Sequence, residues 1–236
     1  MASVGGRGRR LGLCLVVIVV LVGADLASKS AVFEWLGPKT EAELAAGATP
    51  PPLVADRHGD HHERYPLAGE WLALMLNRNT GAAFGQLANV PYLLVWGRVA
   101  AIVLLLWLIC RAPARQGLYL TSLVLIASGA LGNLYDNLFL EPPDNPPGHP
   151  FGAVRDFIDV YFAVWDWHFP TFNVADSCIS VGAVFLLLSG FGSRAEKAEA
   201  PEDSGAVESA APGAAEARSI AAEAGDARSD RARNVS

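Results

Sequence analysis

Two scarcities bound this 236-residue chain before any motif is read. Cysteine is rare: Cys14, Cys110 and Cys178 are the 3 present, odd in number and scattered. Each lies in or beside an apolar run, where a thiol usually behaves as a small hydrophobe. Neither a disulfide framework nor a zinc site is therefore expected. Leu11-Gly-Leu-Cys14 is not a lipid-attachment box either, because Leu13 is too large just before the cysteine and the apolar core follows it. Positive charge is also in short supply. With a net charge of −6 and no basic stripe, the chain is not a binder of phosphate backbones, and no nucleic-acid partner is expected. Much of the acidity falls in the C-terminal tail and says little about the rest. What abounds is apolar residues, 52 % of the total and gathered in blocks, a high share for a soluble protein.

The blocks at about residues 11–35, 92–110, 118–140 and 172–190 read as four membrane spans, each near the roughly 20 residues that cross a hydrocarbon core. The first reaches that length only with its polar extension through Asp25 and Lys29. Without the extension it is the apolar core of a cleaved signal peptide, with Arg7, Arg9 and Arg10 before it and Gly23-Ala24 as the small-residue site. Asp25, Ser28 and Lys29 count against that rival, which stays open at the level of sequence. Arg7, Arg9 and Arg10, then Arg111 and Arg115, then Arg194 and Lys197 all fall on one side if four helices weave across. Positive residues near span ends mark the cytoplasmic side, so both termini are expected there. Lys39, Arg57, Arg64 and Arg78 oppose this, but mostly within a long segment where the rule has little force.

Two external segments remain, about 37–91 and 141–171. In the first, Trp71-Leu-Ala-Leu-Met-Leu76 reads as a short strand and Asn77-Arg-Asn-Thr-Gly81 as a turn. In the second, Glu141-Pro-Pro-Asp-Asn-Pro-Pro-Gly-His-Pro150 dictates an extended loop. Beyond Ser193 the composition is Ala, Glu, Gly and Arg, which predicts a membrane domain over 1–193 and a disordered cytoplasmic tail over 194–236.

Polar residues inside this apolar chain are the candidates for chemistry, because ionised groups are costly in a membrane. On the third span Gly129, Asn133 and Asn137 recur every four residues, with Asp136 beside them on one helix face. Asn173, Asp176 and Ser180 share a face at the start of the fourth. Asp156 lies between those spans, and Asp159 follows it. Asp136, Asp156, Asp159 and Asp176 are thus candidate acids near one membrane face. Two neighbouring carboxylates share a proton, the charged one drawing a proton from water and the protonated one polarising an amide carbonyl. Such a pair titrates as a unit. An equal reading is that Asn173 or Asp176 caps the last helix and Asp156 a short interfacial one. Asp25 and Lys29, at i and i+4, are either an intrahelical ion pair or a means of orienting a lipid headgroup or peptide. Asn79-Thr-Gly-Ala-Ala-Phe-Gly85 is either a turn with a packing patch or a place where another backbone approaches closely. The His- and Asp-rich stretch at 56–63 is better read as a solvated loop than as a metal site. Trp35, Trp165 and Trp167 suit an interfacial aromatic belt.

Asp25-Leu-Ala-Ser-Lys29, Asn79-Thr-Gly-Ala-Ala-Phe84, Gly129-Ala-Leu-Gly-Asn133-Leu-Tyr-Asp136, Val154-Arg-Asp156-Phe-Ile-Asp159 and Phe172-Asn173-Val-Ala-Asp176-Ser177 occur in that order. Together they resemble lipoprotein signal peptidase (signal peptidase II), a four-span bacterial aspartyl peptidase, over about residues 11–190. The resemblance implies an all-α membrane protein with a small extracytoplasmic β-cradle before Asn79 and a short interfacial helix near 159–167. It implies cleavage of a diacylglyceryl-prolipoprotein before its lipidated cysteine, at the outer face of the bacterial cytoplasmic membrane. Asp156 and Asp176 would be the catalytic dyad. Asp25, Lys29, Asn79, Gly129, Asn133, Asp136, Asn173 and Ala175 would surround substrate and dyad. No cofactor and no metal are implied; phospholipid would be a neighbour, and a monomer is expected. The chain departs from the family in having Asn137 where an arginine is usual and Arg155 where an apolar residue is usual. Its loops after Gly37 and before Asp156 are also longer. Arg155, or another cation nearby, is the expected substitute for the missing guanidinium. The rival classes are a non-enzymatic carrier relaying protons or ions through its carboxylates, and a scaffold whose polar residues only cap helices. A carrier predicts deeper carboxylates and inverted repeats, and no repeat is present.

Overall fold

Four long helices and one antiparallel sheet make up the computed structural model, which describes residues 4–39, 41–49, 54–55, 63–81, 86–113, 116–140 and 149–199. The metal-like stretch at 56–62, residues 82–85 of the Asn79 segment, the proline-rich 141–148 and the tail beyond 199 lie outside the described residues. The helix bundle and the sheet belong to one unit, Met1–Arg194.

Helix α1 (Val4–Leu36) does not stop at its apolar block but continues through Asp25 and Lys29, whose polar groups are paired inside the bundle. After a short helix α2 (Glu41–Ala45), α3 (Pro91–Arg111) starts on a proline, which is pre-set for a first helical position. Helix α4 (Gly117–Phe139) is followed across the sheet region by α5 (Val174–Glu199). Three of these helices, over Gly6–Leu36, Pro91–Arg111 and Gly117–Phe139, are long and apolar enough to cross a membrane; Val174–Gly190 is a shorter apolar stretch. The central one is α4. Half of its most apolar window is buried, against 17 % for α1 and 22 % for α3. Cys14 and Ile18 of α1, Ile109 of α3, and Leu123, Val124 and Ala127 of α4 form the apolar core. At that end Arg7 and Arg10 donate hydrogen bonds to the carbonyls of Cys110 and Ala112, joining the start of α1 to the end of α3.

The sheet lies at the opposite end of α1. Its strands β1 (Val54–Ala55), β2 (Glu63–Ala68), β3 (Leu72–Asn79), β4 (Val154–Phe162) and β5 (Trp167–Phe172) pair in sequence order, all antiparallel. The expected interfacial helix near 159–167 is absent. Those residues form the end of β4, a turn through Asp166 (φ 48°) and the start of β5. Pairing decides it: the β-branched and aromatic residues of the segment suit a strand, and β4 finds partners in β3 and β5, with Pro170 tolerated on β5, an edge strand. The sheet is also larger than a small element preceding Asn79, since two of its five strands come from the segment after α4.

Gly152 sets where β4 begins. A Cβ there would lie 2.4 Å from the Asp136 carbonyl oxygen and 2.5 Å from that of Leu140. Only glycine lets the chain dock this closely on the end of α4. Gly152 N donates to the Asn137 carbonyl at 3.0 Å, and Asn137 Nδ2 donates to the Gly152 carbonyl at 2.7 Å. Entry into β4 is therefore pinned to α4 whatever the length of the loop between them.

Candidate active site

Asp156 is the third residue of β4, so it caps no helix. It is 1 % exposed. Its Oδ1 accepts a hydrogen bond from Asn173 Nδ2 at 2.7 Å and its Oδ2 one from Asn79 Nδ2 at 3.2 Å. Asn79, at the end of β3, is itself oriented by Gly81 N, which donates to its Oδ1 at 2.9 Å. The pairing of β3 with β4, which sets Asn77 opposite Asp156, brings these distant parts of the chain together.

Asp176 is the third residue of α5, and Asn173 is the residue before that helix. Asp176 N donates to Asn173 Oδ1 at 2.9 Å, and Asn173 N donates to Asp176 Oδ2 at 3.2 Å. This reciprocal arrangement is a capping box built from Asn and Asp. Capping and a chemical role are therefore not alternatives here. The cap immobilises the Asp176 carboxylate, whose Oδ1 accepts from Asn133 Nδ2 at 2.8 Å. Asp156 and Asp176 both line one cavity of about 550 Å³. Burial, and next the charge of Asp176, push the Asp156 carboxyl up from 3.8 to about 7, against the smaller opposing pull of Asn79, Asn173 and Lys29.

Behind the pair lies a largely buried charged network. Lys29 is 0 % exposed and holds Asp25 Oδ2 at 2.8 Å, Asp136 Oδ2 at 3.3 Å and Asn133 Oδ1 at 2.9 Å. The Asp25–Lys29 pair thus does more than bridge one turn of α1: it joins α1 to α4. Asp25 Oδ1 accepts from Ala175 N at 2.8 Å, joining α1 to α5 as well. Asp136 takes Arg155 on its other side, through Nη2 at 2.9 Å and the backbone N at 3.0 Å. Arg155 also reaches Ser30 Oγ at 3.1 Å. Two carboxylates and two cations balance, so the burial cost is offset by pairing and hydrogen bonds rather than left standing. Asn133 and Asn173 connect this network to the pair, Asn173 Nδ2 also donating to Asn133 Oδ1 at 3.2 Å. Gly129 makes the α4–α5 approach feasible, since a Cβ there would lie 2.2 Å from the Ala175 carbonyl oxygen.

Asp159 is brought elsewhere. It is 1 % exposed and pairs with Arg64 and with His168 Nδ1 within the sheet. It does not line the cavity that Asp156 and Asp176 share. One lining residue escaped the sequence reading. Arg98 on α3 reaches the cavity, with Nη1 donating to Asn137 Oδ1 and Nη2 to the Gly81 carbonyl at 3.5 Å. The available signal was a lone arginine within the apolar block Leu93-Leu-Val-Trp-Gly-Arg98-Val-Ala-Ala-Ile102, which in a membrane helix faces a polar interior.

The family model described as signal peptidase (SPase) II matches residues 17–191. A lipoprotein signal peptidase of Yersinia pseudotuberculosis is 40 % identical over 140 residues, covering 58 % of this chain and 75 % of that relative. One from Serratia proteamaculans is 42 % identical over 128 residues, covering 52 % and 68 %. One from Syntrophotalea carbinolica is 39 % identical over 132 residues, covering 54 % and 73 %. A solved bacterial membrane enzyme, 21 % identical, superposes with a TM-score of 0.56 over 80 % of this chain and 93 % of that one, a likeness that concerns the fold alone. The matched stretch holds both carboxylates, their amide donors and the buried ion network, and the chain belongs to the signal peptidase II family.

Proposed function

We propose that Asp156 and Asp176 are the catalytic dyad of this enzyme, a bacterial membrane protease that removes signal peptides from prolipoproteins. The observation that carries the reading is that two carboxylates from separate elements line one cavity while one of them is held near pH 7. Below about pH 7 Asp156 then keeps its proton beside a second carboxylate, the state that peptide hydrolysis by such a pair needs. The ionised carboxylate takes a proton from water as the water oxygen bonds to the scissile carbonyl carbon. The protonated partner hydrogen-bonds the carbonyl oxygen. Collapse of the tetrahedral adduct breaks the C–N bond, and a proton passes to the leaving amine. Asn79, Asn133 and Asn173 hold the carboxylates in place. Asp25, Lys29, Asp136 and Arg155 lock α1, α4, α5 and β4 around them, with Gly129 and Ala175 at a close contact of α4 with α5.

The finer reading is a domain of four spans over 1–193, with the 194–236 tail and both termini cytoplasmic. It rests on the positive residues at one end of the helices, among them Arg7, Arg10 and Arg111. The sheet and dyad then lie at the outer face as a cradle against the phospholipid surface, with Trp35, Trp165 and Trp167 exposed in the aromatic belt. A monomer cleaves before the diacylglyceryl-modified cysteine. The test is cleavage of a lipidated prolipoprotein by the purified protein, with each aspartate changed separately to asparagine. Substantial cleavage by either variant would remove the dyad.

A further inference from the structure

Hydrolysis makes a charge that was not there before. The new end of the signal peptide is a carboxylate, formed beside a dyad that itself carries one negative charge. Its neighbours decide how that charge is held. Lys29 is committed to Asp25 and Asp136, and Arg155 to Asp136. Arg98 differs: the oxygens it contacts, Asn137 Oδ1 and the Gly81 carbonyl, are both neutral. A guanidinium has five N–H donors in a planar fork matched to a carboxylate, and those two oxygens occupy few of them. Arg98 is also the one cation among the described residues that line the cavity.

Its supports are themselves anchored. Asn137 is fixed by its two hydrogen bonds with Gly152. Gly81 donates to Asn79, which donates to Asp156. The guanidinium is thereby aimed into the cavity from a helix of its own, with one support, Gly81, shared with the chain of contacts to Asp156.

We propose that Arg98 binds the substrate main chain next to the scissile bond and then holds the new C-terminal carboxylate of the signal peptide until release. This rests on Asp156 and Asp176 being the catalytic dyad. Before cleavage the fork meets a neutral carbonyl, and afterwards a charged one, so its grip tightens on the product. Charge-assisted hydrogen bonds are stronger than neutral ones. A free signal peptide ending in a carboxylate should accordingly inhibit better than the same peptide ending in a carboxamide.

The experiment measures inhibition of prolipoprotein cleavage by both peptides, in the parent, Arg98→Gln and Arg98→Lys. In the parent the acid should inhibit about ten-fold or more better than the amide. In Arg98→Gln that ratio should fall towards one and KM should rise. Arg98→Lys should restore part of the ratio, which a purely structural role would not do. Equal inhibition by the two peptides in the parent overturns the proposal without recourse to any variant. So does a parent-like ratio in Arg98→Gln. Neither result touches the dyad, whereas a parent that cleaves no prolipoprotein sinks the dyad reading and this one with it.

Discussion

Replacing Asp156 by asparagine separates a catalytic carboxylate from a structural one, because the two roles predict opposite changes in stability. The folded protein holds this carboxyl at about 7 rather than 3.8, about three pH units at about 1.4 kcal/mol each, or about 4 kcal/mol. The sign comes from linkage. A group whose folded value is raised favours the fold most fully below its unfolded value, and that contribution is lost as the pH climbs through about 7. At pH 8 the fold therefore bears roughly the whole 4 kcal/mol, and at pH 5 about 2 kcal/mol. An amide carries no such cost. Its NH2 must replace one oxygen that now accepts from Asn79 or Asn173, at about 1 kcal/mol. The net expectation is a gain of about 3 kcal/mol at pH 8, shrinking to about 1 at pH 5, or roughly 6–12 °C and 2–4 °C in melting temperature. Thermal unfolding of the purified protein in detergent at the two pH values reads this, alongside cleavage of a lipidated prolipoprotein. The expected variant is inactive and more stable, increasingly so at high pH. An inactive Asp156→Asn that melts below the parent, or whose difference ignores pH, would refute the reasoning and make the carboxylate a structural pin.

The same contacts set the remaining expectations. Cleavage, as kcat/KM, should fall as pH rises above about 7, where Asp156 gives up the shared proton; a flat profile from pH 6 to 9 would contradict the proton-sharing dyad. Asp176→Asn should also abolish cleavage but lower the melting temperature at pH 5, where Asp156 keeps its proton and no repulsion is relieved, since it disturbs the capping box with Asn173, by about 1 kcal/mol; a rise at that pH would contradict the cap. Arg155→Ala strips one of the two cations from Asp136, which is 0 % exposed, and should cost about 2–3 kcal/mol with at least a ten-fold slower cleavage; full activity would remove Arg155 from the supporting network. Gly129→Ala places a Cβ 2.2 Å from the Ala175 carbonyl and should slow cleavage while leaving helical content by circular dichroism unchanged; a parent-like rate would show that α5 yields without moving Asp176.

How far sequence reasoning reached depended on the range of the interaction. Apolar blocks of span length and a Pro-free strand at Trp71–Leu76 are local properties, and helices and the first part of β3 stand where those patterns lie; Asn77–Asn79, which read as a turn, instead continue β3 because β4 pairs with them. The residues of Asp159–Trp167 did not declare themselves, because a strand partner decides between hairpin and helix, and β4 finds its partner in β3, across α3 and α4. Arg98 went unread for a similar reason: within its own helix it is one charge in an apolar run, and only the packing of α3 on α4 aims it at Asn137.

By itself the order of the motifs determined the family likeness and nominated Asp156 and Asp176, because residue types at given intervals are a one-dimensional record. It left the cap and the catalytic reading of Asp176 level, since both use the same residue at the same helix start. Tertiary structure showed them to be compatible, with the carboxylate capping α5 while it lines the cavity. It alone decided that Lys29 bridges two aspartates rather than one, that Asp159 belongs to the sheet, and that Arg155 serves Asp136. Charge balance in a buried site depends on distances of a few ångströms between residues a hundred positions apart, and those are set by how the helices and sheet pack.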